Sequence, residues 1–120
     1  MPDRPAGSAV EPAETVALAE AVLRLHAGVL HWSPARWAGA APDGRVRADV
    51  LFALVADLAE LARRAGSGAP PEAQVPRLGN HALVDQLAVL GAEVVAADGV
   101  EQVAPQAREA VEAARRVLLP

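Results

Sequence analysis

The chain has no cysteine and no tyrosine, and its other aromatic residues are one phenylalanine and two tryptophans. Without cysteine there is no disulfide, no thiolate nucleophile and no cysteine-ligated metal. With so few aromatic rings the core has to be built from Leu, Val and Ala. Ala is the strongest helix former, whereas strands draw on aromatic and β-branched residues, so this composition favours close helix packing over a sheet. Lysine is absent too, and all 11 basic residues are Arg in a chain of formal net charge -4. The acidic balance argues against a general nucleic-acid binder. Richness in Ala, Gly, Pro and Arg without Lys reads as the codon bias of a GC-rich bacterial genome rather than as selection on function.

Long apolar runs are also missing. No stretch approaches the roughly 20 residues that span a bilayer. Met1-Pro2-Asp3-Arg4-Pro5 leads into Gly, Ser, Pro and Glu instead of the apolar core of a secretion signal. The expectation is a cytoplasmic protein with no membrane partner. A length of 120 residues suits one domain, able to bury roughly two thirds of the surface of its unfolded chain.

The pattern that is present is helical. Residues 1–12 carry three prolines and little apolar periodicity, which predicts a mobile N-terminal arm, with 13–120 forming a single helical-bundle domain. At about 100° per residue, a first helix from Pro12 puts Val16, Leu18, Val22, Leu23, Leu25, His26, Val29 and Leu30 on one broad face. Ser33-Pro34 predicts a short capped turn, and Asp43 is a candidate N-cap for a second long helix. That helix has Val50, Leu51, Leu54, Val55, Leu58, Leu61 and Ala62 on one face. Gly66 to Gly79 cannot continue a helix and reads as a crossover. Beyond it, Asn80 would cap a third helix with core residues Leu83, Val84, Leu87, Leu90, Gly91, Val94 and Val95. The fourth starts either at a capping box on Asp98 or afresh at Pro105, and buries Ala107, Ala110, Val111, Ala114, Val117 and Leu118. The predicted fold is all-α: an antiparallel four-helix bundle made of two helical hairpins joined by the Pro/Gly-rich crossover.

An up-down-up-down order would gather Arg63, Arg64, Arg115 and Arg116 at one end with Arg77. There, basic residues in the last helical turns complement the helix dipole without needing a partner. The opposite end would gather Trp32 and Trp37 with Arg36, Arg45, Arg47 and His31. Trp and Arg are the residues most enriched at binding hot spots, and Arg stacks on indole faces. Trp32, Arg36, Trp37, Arg45 and Arg47 are therefore the candidate partner-binding residues, while the tryptophans could also serve as a lid on the open end of the bundle. His26, on an otherwise apolar face with Gly91 opposite, is a candidate pocket for a small molecule, although such a histidine is more often a hydrogen-bonded core residue. Phe52, Val89 and Leu119 lie off the core faces and are candidates for a homodimer contact.

No motif of catalysis, cofactor binding or metal ligation is present: no Glu-x-x-His pair, no His-Glu-x-x-His, no phosphate-binding loop and no nucleophile elbow. His81 and Asp85 are one helical turn apart, but an exposed helix start makes them a solvated pair. The sequence thus predicts no catalytic residues, no metal and no cofactor. It points to a non-enzymatic interaction, regulatory or accessory subunit that binds a protein partner or itself. The alternative is a small-molecule-binding bundle or minor enzyme of a specialised biosynthetic pathway built around His26.

Overall fold

Leu and Val recur every three or four residues along most of the chain, and each such stretch is a helix in the computed structural model. It describes residues 6–66, 76 and 79–120, with side chains from residue 13 onward. Among these, four long helices and one short one follow in the order α1 (Ala6–Val29), α2 (Pro34–Ala38), α3 (Arg47–Arg64), α4 (Asn80–Ala96) and α5 (Val100–Leu118). The all-helical expectation holds. The core is Leu, Val and Ala, with Trp37 the one aromatic side chain fully inside.

Several helix boundaries differ from the expectation. α1 begins at Ala6, so Pro12 lies inside the helix and not at its start; of the expected arm, residues 1–5 lie outside the described residues. α3 is capped by Val46, and α4 by Gly79 in place of Asn80. α5 begins after Gly99 with no side-chain cap, and Pro105 sits in its second turn. Proline's missing N–H there costs the helix the one bond that would reach the Glu101 carbonyl.

The faces of α3, α4 and α5 match the periodicity, with Leu90, Val95, Ala110 and Val117 half-buried at the margins. α1 does not match. Leu18, Ala21, Val22, Leu25 and Val29 point inward, whereas Val16, Leu23 and Leu30 are 54%, 66% and 41% exposed. His26 is half-buried at the edge of the inward face. α1 is apolar almost all round, so its periodicity leaves the buried side undetermined; the packing of its neighbours decides it.

Helix direction follows from a few close contacts. The Gly99 N–H donates to the Ala65 carbonyl at 3.0 Å, so the end of α3, the end of α4 and the start of α5 lie together. α3 packs along both α4 and α5; it therefore runs parallel to α4 and antiparallel to α5. α1 packs mainly on α5 and on α4. Arg108 of α5 reaches Glu14 at 3.1 Å, and Arg24 reaches Glu112 at 3.3 Å, so α1 and α5 rise together. The pairs expected as hairpins, α1 with α3 and α4 with α5, are thus not the most closely packed ones. The order is up, down, down, up. The end of α3 and the start of α4 therefore lie at opposite ends of the bundle, and the crossover expected over 66–79 falls mostly outside the described residues.

That order separates the basic clusters. Arg63 and Arg64 end α3 beside Glu60, while Arg115 and Arg116 end α5 at the other end of the bundle, paired with Glu112 and Glu109. The four helix-end arginines expected together from an alternating order are thus split between the two ends, and Arg77 lies outside the described residues.

α1 and α4 touch through a glycine. A Cβ at Gly91 would lie 2.7 Å from Val22 Cγ1, so the bare backbone of α4 admits the Val22 side chain. The space anticipated there for His26 is occupied by Val22. Gly91→Ala should destabilise the fold by about 1–3 kcal/mol through overpacking, and adding Val22→Ala should recover part of the loss. Urea unfolding of the single and double variants checks this; an unchanged midpoint in Gly91→Ala would mean the contact is slack.

Glu112 joins α1 to α5 by accepting from both Arg115 and Arg24. The Arg115 hydrogen bond, more than any other influence, holds its carboxyl below the ordinary value of 4.5. A carboxylate whose pKa is depressed by folding stabilises the protein above its unfolded pKa, and that contribution disappears as pH falls through the folded one. Stability should therefore drop between about pH 5 and about pH 3, and drop less in Glu112→Gln, as read from urea midpoints across that range.

Candidate functional site

The segment between α1 and α3 builds one end of the bundle. Ser33 Oγ accepts from the Arg36 N–H at 3.2 Å, and Pro34 opens α2, as the Ser-Pro step predicts. The chain then doubles back through a tight turn. The Gly44 N–H donates to the Ala41 carbonyl at 2.9 Å, the Ala41 N–H to Arg45 at 2.7 Å and the Arg47 N–H to Gly39 at 3.0 Å. These bonds flank the isolated bridge between Ala40 and Val46. Pro42 sits where a turn favours a fixed φ, and Gly44 takes φ +93°, a region closed to most side chains. Asp43 does not cap α3. It accepts from the Arg45 N–H at 3.0 Å and from the Arg45 side chain at 2.8 Å. The bond from the Arg45 backbone is the main influence holding its carboxyl below the ordinary range.

This folding brings four of the five candidate residues together. The rings of Trp32 and Trp37 are 4.7 Å apart and tilted by 56°, a geometry that suits the quadrupoles of two indoles. The Arg36 guanidinium lies 4.4 Å and that of Arg47 5.9 Å from the Trp32 ring centre. Arg47 also donates to the Arg36 carbonyl at 3.1 Å. Its path runs over Gly39, where an added Cβ would come within 2.9 Å of the guanidinium. Arg45 stands apart from this cluster. It lines a groove of about 230 Å³ between α3 and α5, edged at another point by Asp57 and floored by small apolar residues.

The two tryptophans have different situations. Trp37 is 3% exposed and belongs to the core, whereas Trp32 is half-buried with the arginines over it. Of the pair, Trp32 is the one that leaves ring surface exposed.

Sequence reasoning did not reveal the charge state of this cluster. Arg24, Arg45, Arg63, Arg64, Arg108, Arg115 and Arg116 each lie beside a carboxylate. Among the described residues, only Arg36 and Arg47 have guanidiniums with no carboxylate in reach, and both sit over the same indole. The signal was latent in the sequence: the stretch from Val29 to Ala48 holds three arginines and a single acidic residue, Asp43, which Arg45 consumes.

The second candidate site does not assemble in this way. His26 is half-buried on α1, and Gly91 is covered by Val22. Among the described residues no group of three His, Cys, Asp or Glu could hold a metal ion, and no helix is long and apolar enough to cross a membrane. Of the candidate dimer residues, Val89 is 57% exposed, while Phe52 and Leu119 pack against the core. The chain matches no family model, no curated protein and no solved structure.

Trp37→Ala should cost about 3–5 kcal/mol of stability, the range for a buried large aromatic, measured by urea unfolding. A loss below about 1 kcal/mol would return Trp37 to the surface class of substitutions.

Proposed function

We propose that this protein is a non-enzymatic interaction or accessory subunit of the bacterial cytoplasm that docks another protein through the Trp32/Arg36/Arg47 end of its bundle. The observation that carries the reading is the pair of carboxylate-free guanidiniums held over a half-exposed indole by a capped turn and a tight hairpin. Such an arrangement is organised before a partner arrives, so little ordering entropy remains to oppose binding. Aromatic and Arg side chains in this setting are the ones whose truncation most weakens interfaces. The four long helices supply a rigid support, and an antiparallel relation holds between α3 and α5 and between α4 and α1.

A second form of the same reading is self-association. Val16 and Leu23 on the outward side of α1, and Leu30 just past its end, recur every seven residues, the spacing with which one helix meets another. The small-molecule alternative around His26 has no comparable support, because Val22 takes the space at Gly91.

Native mass spectrometry of the chain isolated from its source cells tests both forms, with Trp32→Ala, Arg36→Ala and Leu23→Glu alongside. The expected result is an additional protein chain retained by the wild type, with affinity reduced about thirtyfold in Trp32→Ala, equivalent to about 2 kcal/mol. Arg36→Ala, on the exposed side of α2, should weaken it without altering the unfolding transition. A homodimer that dissociates only in Leu23→Glu would move the function to α1. A bare monomer, or a monomer carrying a few hundred daltons of small molecule, would overturn the docking reading.

A further inference from the structure

The chemistry of the docking end also indicates what it binds. We infer that the Trp32/Arg36/Arg47 face recognises an acidic segment of its partner, the two guanidiniums receiving carboxylates and the neighbouring apolar surface receiving an adjoining hydrophobic side chain. The inference rests on the reading that this end is the docking surface.

Three observations lead to it. First, Arg36 and Arg47 both lie within 5.9 Å of one ring centre and are held together by a hydrogen bond from Arg47 to the Arg36 carbonyl. Two like charges so placed repel each other. The indole face and the carbonyl dipole offset part of that repulsion, and an incoming anion would remove the rest. Guanidinium forks match carboxylates in a planar, two-pronged geometry. Second, the other described arginines already have carboxylates within the chain, so this is the place where positive charge is left for another molecule. Third, the Trp32 indole under the two guanidiniums is itself only half-buried, which leaves part of an apolar ring beside them at the surface. Apolar surface beside the arginines suits a peptide carrying both acidic and hydrophobic residues.

A nucleic acid fits less well. Nucleic-acid affinity comes from many phosphate contacts spread along a strand, and here two guanidiniums stand on a molecule of net charge -4. The site is a spot, and a strand needs a track.

Both tryptophans of the chain lie at this end, so tryptophan emission reports binding without a label. The full-length protein is titrated at low salt with a short peptide alternating Asp or Glu with Leu, with its Asn/Gln counterpart, with a short single-stranded DNA and with inorganic phosphate. Calorimetry accompanies the emission measurement. The acidic peptide should bind at least about tenfold more tightly than its amide counterpart, a difference of about 1.4 kcal/mol. Arg36→Gln and Arg47→Gln should each lose most of that preference while keeping the wild-type unfolding transition. Equal binding of the two peptides overturns the inference. So does DNA or phosphate binding as tightly as the acidic peptide, or a preference unchanged in Arg36→Gln. If the cell-derived partner is lost from Trp32→Ala yet the acidic peptide fails to bind, the docking surface stands and its proposed acid specificity falls. If Trp32→Ala keeps the partner, both fall.

Discussion

A single backbone hydrogen bond, from the Gly99 N–H to the Ala65 carbonyl, ties the end of α3 to the turn between α4 and α5, and much of the arrangement follows from that tie. With α3 and α4 ending at the same place and packed along each other, the two helices run parallel. α5 then rises antiparallel to α3, and α1 takes the remaining side, parallel to α5. Gly99 permits this closeness: an added Cβ would lie 3.1 Å from the Ala65 oxygen. The distribution of charge follows from the same constraint. Helices that end at opposite poles cannot pool their terminal arginines, so each pairs locally with a glutamate on its own helix, an arrangement that contributes little stability where it is exposed.

The opposite pole differs because it is made by loops as well as helix ends. There the short α2, a proline-led turn and the first residue of α3 converge, and the local sequence has almost no acid to match its arginines. An indole face takes the place of a carboxylate as their neighbour. Cation–π attraction uses the face of the guanidinium and, apart from the bond Arg47 gives to the Arg36 carbonyl, leaves the N–H edges to other partners. The same geometry that organises the site keeps its charge available.

How much was legible in the sequence varies by element, for physical reasons. α3 carries charged residues on its outer side, and Val50, Leu51, Leu54, Val55, Leu58, Leu61 and Ala62 are buried as its periodicity predicts. α1 has an apolar residue on nearly every side, so Val16, Leu23 and Leu30 could not be told from Leu18, Val22 and Val29 until α4 and α5 were in place. Helix identity was readable, whereas helix direction was not. Short connections suggest packed hairpins, and the Gly99–Ala65 contact that sets α3 parallel to α4 joins residues far apart in the chain. At the site, Trp32 and Arg36 are one turn apart across a recognisable Ser-Pro cap, and their meeting was predictable. Arg47 arrives only because the turn at Gly44 closes, and Arg45, two residues away, is diverted by Asp43. Which tryptophan would be buried depended on that same closure.

The parallel pairing of α1 with α5 also has a consequence during synthesis. The contacts that join them span 88 residues between Arg24 and Glu112, and 94 between Glu14 and Arg108. At about 5–20 residues per second, the first helix leaves the ribosome roughly 5–20 s before its principal neighbour exists. Throughout that interval the side of α1 that will be buried and its outward Val16, Leu23 and Leu30 are apolar surfaces awaiting cover. A bundle of sequence-local hairpins would close each helix against the next as it emerged. This one has a non-local order of assembly, which places it among the slower-folding helical topologies and makes α1 the segment most dependent on protection while the chain is still being made.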